Sequence, residues 1–136
     1  MLQKIDHIGI AVKDLNASIK LYERLLGTNC FKIETVATEK VVTAFFQLEG
    51  IKIELIAASE EDSTISTFIE KHGEGLHHIA FQVDDLKRES ERLQVDEFQL
   101  INEKAKSGAD NKLINFIKPG LTGKVLIELC ADQEFI

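Results

Sequence analysis

The sequence predicts an α+β fold made of two tandem β-α-β-β-β modules. Three observations predict it. Asp6-His7-Ile8-Gly9-Ile10-Ala11-Val12-Lys13-Asp14-Leu15 recurs as His77-His78-Ile79-Ala80-Phe81-Gln82-Val83-Asp84-Asp85-Leu86, with His, Ile, Val, Asp and Leu matching at one offset of 71 residues. Ile53-Glu54-Leu55 recurs as Ile127-Glu128-Leu129 at an offset of 74 residues. Between these matched ends, each half passes from a period-two apolar pattern to a helical one and back again. Two ordered matches at nearly the same offset, close to half the chain length, are the signature of a duplicated module.

The first strand is expected at Ile5–Val12, with Ile8, Ile10 and Val12 on one face and His7, Gly9 and Ala11 on the other. A helix over Leu15–Leu26 follows. Asp14 or Asn16 can cap it, its apolar stripe is Leu15, Ile19, Tyr22 and Leu26, and Gly27 stands where a C′ glycine belongs. Strands are predicted near Phe31–Val36, Val41–Leu48 and Ile51–Ile56, the last two joined by a tight turn at Glu49-Gly50. A linker helix near Thr64–Lys71 starts at Asp62 or Ser63 and stops at Gly73. The second module repeats the order: strand His77–Val83, helix Leu86–Leu93, then strands near Phe98–Ile101, Leu113–Lys118 and Val125–Cys130, with Pro119-Gly120 between the last two. No flexible linker interrupts the chain. One domain over 1–136 is therefore expected, with module 1 at about 1–58, the linker helix at about 59–73 and module 2 at about 74–136.

Composition narrows the function. The chain has 136 residues, 44% hydrophobic and 29% charged, and carries 16 Lys and Arg against 23 Asp and Glu, a formal charge of −7. An acidic balance argues against nucleic acid or an anionic membrane surface as partner, since both need basic patches. No apolar run reaches the ~18 residues of a membrane span. The start of the chain shows no apolar secretory core. Cys30 and Cys130 do not form a disulfide framework, so a reduced, cytoplasmic setting is expected.

Side-chain direction gives the candidate site. His7 lies opposite the Ile8, Ile10 and Val12 stripe, Glu54 opposite Ile53 and Leu55, His78 opposite Ile79, Phe81 and Val83, and Glu128 opposite Ile127 and Leu129. If the apolar stripes meet the helices, His, Glu, His and Glu face a shared concave side. The small face-mates Gly9, Ala11 and Ala80 leave space there for a ligand. Two neutral imidazoles and two carboxylates suit a borderline divalent metal, with two positions of six left for water or a bidentate substrate. A single strand histidine is more often a packing residue than a ligand; four matched positions reverse that balance. His77 points away from His78 by alternation and reads as a structural residue or one supporting the ligands. His72 sits at a helix C-terminus, where a partial positive charge suits the dipole. Cys130 shares the face of Glu128 and reads as a packed thiol. Glu60-Glu61-Asp62 reads as a solvated helix entry.

Paired β-α-β-β-β modules with such ligands resemble the vicinal oxygen chelate superfamily. Within it the chain is most similar to the methylmalonyl-CoA epimerase family. The similar segments are Ile5 through Val12, Asp62-Ser63-Thr64-Ile65, Glu70-Lys71-His72-Gly73-Glu74-Gly75-Leu76-His77-His78-Ile79-Ala80-Phe81 followed by Val83-Asp84-Asp85, and Gly123-Lys124-Val125-Leu126-Ile127-Glu128-Leu129. The resemblance implies a curved, partly closed mixed sheet with a concave metal site. It implies one divalent ion per chain (Co, Mn, Ni or Zn), held by His7, Glu54, His78 and Glu128, with Glu128 and Glu54 as the carboxylates that move the proton. It implies an acyl-CoA substrate and a homodimer. Two departures stand out. Relatives have a glycine-rich, Arg-containing stretch where this chain reads Lys106-Ser107-Gly108-Ala109-Asp110-Asn111-Lys112. Thr43 falls about where some relatives place a further carboxylate. Phosphates of an acyl-CoA need local cations, and Lys104, Lys106, Lys112 and Lys124 are the candidates. The competing readings are a glyoxalase I-type lactoylglutathione lyase and a non-catalytic small-molecule binder. An extradiol dioxygenase fits less well, because Glu54 would fill a position that oxygen and catechol need.

Overall fold

The computed structural model describes residues 1–133. Among the described residues there are eight strands and three α-helices, in the order expected of two β-α-β-β-β modules joined by a helix. The chain divides into two compact units, one formed by Ile8–His77 and the other by Met1–His7 with His78 onward.

The unit Ile8–His77 contains the second half of β1 (Leu2–Ala11), then α1 (Leu15–Leu26), β2 (Lys32–Val36), β3 (Val41–Gln47), β4 (Lys52–Ala58) and α2 (Thr64–His72). Its strands lie in the order β2-β3-β4-β1. β2, β3 and β4 pair antiparallel, and Gln47 opposite Lys52 closes the tight turn at Gly50. Helix α1 begins where Asp14 accepts a hydrogen bond from Ala17 N–H, and ends at Gly27, whose φ of 67° is left-handed. Its stripe of Leu15, Ile19, Tyr22 and Leu26 packs on Val12, Ala44, Phe46, Leu55 and Ala57, with Ile10 and Ile53 beside them. Ser63, one of the two cap candidates, starts α2 by accepting from Ile65 N–H.

The other unit contains the first half of β1, most of β5 (Gly75–Val83), then α3 (Leu86–Val95), β6 (Lys106–Ser107), β7 (Lys112–Ile117) and β8 (Ile127–Asp132). Its strands lie in the order β1-β5-β8-β7-β6. β5 and β8 run parallel and β8, β7 and β6 antiparallel, so the sheet is mixed. Leu86 and Leu93 of α3 pack on Val83, Ile117, Leu129 and Ala131, with Phe81 and Ile127 at the margin.

The sequence reading differs from the structure at several element ends, β1, β6 and β8 among them. β1 starts at Leu2, three residues before the expected Ile5. The strand expected at Phe98–Ile101 does not form a ladder. Leu100 makes a single bridge to Ile117, and the pairing strand is Lys106–Ser107. Phe98 and Leu100 still pack into the α3 core, which explains their apolar spacing. The segment between them and β6 is held instead by a side chain: Asn102 N–H donates to Asn115 Oδ1 at 3.2 Å, and Asn115 Nδ2 donates to Asn102 C=O at 2.9 Å. Finally, β8 starts at Ile127 rather than Val125, because Gly123 and Lys124 take left-handed φ values of 64° and 70° and extend the turn.

Candidate metal centre

The site follows from which face of each strand the helix takes. In the unit that contains α3, the helix covers Phe81, Val83, Ile127 and Leu129. Strand alternation therefore turns His78, Ala80, Glu128 and Cys130 to the opposite face. Ala80 is in register with Glu128 and Gln82 with Cys130, which sets Glu128 beside the small Ala80 on this face. On β7, Phe116 is opposite Glu128 and Ile114 opposite Cys130. Ala80, Ile114, Cys130 and Phe116 form a small apolar bed on this face. The ring of His78 stands edge-on to Phe116, centroids 6.1 Å apart.

His7, on the neighbouring β1, completes the cluster. Its Nε2 is 3.0 Å from His78 Nε2. Glu128 brings Oε2 to 3.3 Å from His7 Nε2 and Oε1 to 3.8 Å from His78 Nε2. All three residues are buried. His7 Nδ1–H donates to Asp6 Oδ2 at 2.8 Å. In the neutral ring that bond leaves the lone pair of His7 on Nε2, the atom nearest His78 and Glu128. Cys130 is also near, since donor atoms of Asp6, His7 and Cys130 lie within 4.8 Å of one another.

This donor set fits a divalent ion. Two imidazole nitrogens each ~2.1 Å from one ion and at right angles are about 3.0 Å apart, and the Nε2–Nε2 separation is 3.0 Å. A ligating histidine is ordinarily steadied by a carboxylate on its outer nitrogen, and Asp6 stands at that nitrogen of His7. Alternation alone would send Asp6 to the face away from His7, so the sequence reading missed it; the adjacent Asp-His pair was the available signal.

Glu54 belongs to the other unit and is described within it. It is buried on β4. Its neighbours Ile53 and Leu55 pack beneath α1, so its carboxylate lies on the face turned from that helix. Phe45 is its partner on β3, and Lys32 is in turn the partner of Phe45. The ammonium groups of Lys32 and Lys52 each lie 6.0 Å from the Phe45 ring centroid. Thr43 occupies the same face of β3, buried, with Oγ1 donating to Glu34 C=O at 3.3 Å. A threonine there cannot take up a proton, so no carboxylate stands at that position.

The remaining sequence candidates separate by environment. His77 packs edge-on against Phe68 of α2, centroids 4.8 Å apart, and burial pushes its pKa down to about 4. It is a neutral packing residue at ordinary pH. His72 ends α2 and packs on Phe68 as well. Lys104 and Lys124 are exposed. Lys112 is not a surface cation. It is buried, paired with Asp132 across the β7–β8 ladder, and its Nζ is 3.9 Å from Asp6 Oδ1. It is therefore withdrawn from the phosphate-binding candidates.

Comparison with known proteins adds four findings. Residues 6–116 match the family described as the Glyoxalase/Bleomycin resistance protein/Dioxygenase superfamily. An uncharacterized protein of Bacillus subtilis is 43% identical over 97% of this chain and 94% of its own length. The fold superposes on a methylmalonyl-CoA epimerase crystal structure from Mycobacterium tuberculosis with a TM-score of 0.93, at 35% identity, covering 98% of this chain and 90% of that one. A methylmalonyl-CoA epimerase in complex with methylmalonyl-CoA and NH4+ superposes with a TM-score of 0.92, at 29% identity, covering 97% and 96%.

Proposed function

The chain belongs to the Glyoxalase/Bleomycin resistance protein/Dioxygenase superfamily, and from that premise we propose that it is a metal-dependent methylmalonyl-CoA epimerase. The observation that carries the reading is the convergence of His7 Nε2, His78 Nε2 and the Glu128 carboxylate within 3.0–3.8 Å on one sheet face. The likeness to epimerase structures over nearly the whole chain supplies the substrate class. The comparisons favour this over a lactoylglutathione lyase or a non-catalytic binder.

His7, His78, Glu128 and Glu54 would hold one divalent ion, drawn from Co, Mn, Ni or Zn. Such an ion supplies Lewis acidity that stabilises the enolate of the thioester. The chain's own residues do the rest. His7 and His78 act as neutral donors, and Asp6 keeps the lone pair of His7 turned toward the site. Inversion breaks the C–H bond of the carbon between the thioester carbonyl and the carboxylate. The electron pair passes into the thioester enolate, and the proton goes to a carboxylate. A proton then returns to the opposite face of the same carbon, so two acid/base groups or one mobile group are required. Glu128 is assigned as a ligand with base character and Glu54 as a ligand or opposing base. A carboxylate that held a dication would be a weak base, so the proton would go to whichever of Glu128 and Glu54 were not serving as a ligand. The Ala80, Phe116 and Cys130 surface beside Glu128 is apolar and excludes water from the enolate. Lys104, Lys106 and Lys124 remain the candidates for the substrate's phosphates. A cytoplasmic homodimer is part of the same proposal. No helix among the described residues is long and apolar enough to cross a membrane.

The test is turnover of one methylmalonyl-CoA epimer by metal-loaded protein, with a glutathione hemithioacetal as the competing substrate. Inversion of the acyl-CoA alone supports the proposal. Turnover of the hemithioacetal alone overturns it.

A further inference from the structure

We infer that Asp6 and Lys112 are positioning residues of the metal centre; this rests on the ligand assignment proposed above. Asp6 is buried and its two oxygens are divided between two neighbours. Oδ2 accepts from His7 Nδ1–H at 2.8 Å, while Oδ1 lies 3.9 Å from Lys112 Nζ. Lys112 is itself buried, at 8% exposure, and pairs with Asp132, its register partner across β7 and β8. Asp132 is largely exposed. An unbroken line therefore runs from the surface inward: Asp132, Lys112, Asp6, His7, and on to His78 and Glu128.

The arrangement has a physical reason. A buried carboxylate is costly unless a cation and hydrogen bonds compensate it. Lys112 is the nearby cation and His7 the donor, and both favour the observed orientation of Asp6. The His7 ring is thereby fixed with Nδ1–H outward and Nε2 inward, the tautomer that a ligand requires. A lysine recruited for substrate phosphates would keep its ammonium in water; this one is buried, paired with Asp132 and 3.9 Å from the carboxylate behind a proposed ligand. If Asp6 and Lys112 served only stability, their loss would lower the melting temperature and leave the His7 tautomer alone.

The experiment uses the full chain, stripped of metal and titrated with Co2+ alone against a competing chelator. It is paired with long-range 15N–1H NMR of the His7 ring in the metal-free protein. Removal of such supporting partners typically weakens metal binding 10–100-fold. Asp6→Ala is expected to fall in that range and to lose the single Nδ1–H tautomer of His7. Lys112→Met is expected to shift both readouts in the same direction. Should Asp6→Ala fail to fold, Asp6→Asn is read in the same way. Wild-type Co2+ affinity and tautomer in both the Asp6 and Lys112 variants overturn the inference. Wild-type behaviour of Lys112→Met alone overturns the assignment of Lys112. His7→Ala separates the two levels. If it binds Co2+ as tightly as wild type, the ligand assignment falls, and this inference with it. If it loses binding while the Asp6 and Lys112 variants do not, only this inference falls.

Discussion

Replacing Glu128 by Gln changes the proposed site while leaving its frame in place. The side chain is buried and lies within 3.3 Å and 3.8 Å of the two imidazole Nε2 atoms. Gln has nearly the same shape and can still offer a carbonyl oxygen, but it carries no charge and takes no proton at neutral pH. Ile127 and Leu129 keep their packing under α3, so the fold should persist. Loss of a positioned acid/base group costs ~10²–10⁴-fold in rate, which is about 2.7–5.4 kcal/mol of barrier at ~1.36 kcal/mol per decade. Loss of an anionic ligand also weakens metal binding, so turnover must be measured at saturating metal, with the bound ion quantified alongside. The expected result is a folded, metal-loaded protein that inverts methylmalonyl-CoA at least ~100-fold more slowly. Turnover within about threefold of wild type, less than ~0.7 kcal/mol of barrier, would refute the reasoning. It would also break the argument that the two Ile-Glu-Leu strands are functional equivalents.

Other outcomes follow from the same structure. Phe46→Ala empties a fully buried position beneath α1 and should cost about 3–5 kcal/mol in a denaturant titration. Gly108→Ala would set a Cβ 2.7 Å from Ile114 Cδ1 and 3.0 Å from Cγ2, an overpacking worth about 1–3 kcal/mol of destabilisation, read as a lower melting temperature. Glu89 is buried on α3 and its carboxyl is held below the ordinary carboxylate range, chiefly by the hydrogen bond from Arg92 Nε at 2.7 Å. Its stabilisation is therefore complete above the unfolded carboxylate pKa and is lost as pH falls through the lower folded value. Glu89→Gln should flatten the acid limb of stability against pH; an unchanged limb would show that the pair contributes nothing there.

The helix caps, the α1 stripe and the succession of elements along the chain could be read from residues because each depends on local chemistry. Asp14, Ser63 and Gly27 act within one turn of chain, and Leu15, Ile19, Tyr22 and Leu26 need only a sheet to lie on. What could not be read depends on distant partners. Phe98 and Leu100 have strand spacing because they are buried by α3, yet Asn115 takes over the backbone of Asn102 and the ladder does not form. Asp6 should face away from His7 by alternation, but its side chain turns back to Nδ1 with Lys112 behind it. Lys112 looked like a solvent lysine because neither Asp6 nor Asp132 is near it in sequence. For the proposed ligands, alternation and the internal repeat nominated His7, Glu54, His78 and Glu128 together; the separations of His7, His78 and Glu128 come from register, which the sequence does not state.

The most direct test of the account is exchange of the α-proton. Methylmalonyl-CoA in deuterated water is mixed with protein stripped of metal and with the same protein reloaded with Co2+, and the α-proton resonance is followed by NMR. The account predicts loss of that resonance only with the reloaded protein, together with equilibration of the two epimers, and a rate at least ~100-fold lower in a variant lacking both His7 and His78. Exchange no faster than in buffer with metal bound, or equal exchange with and without metal and in the histidine variant, would contradict it.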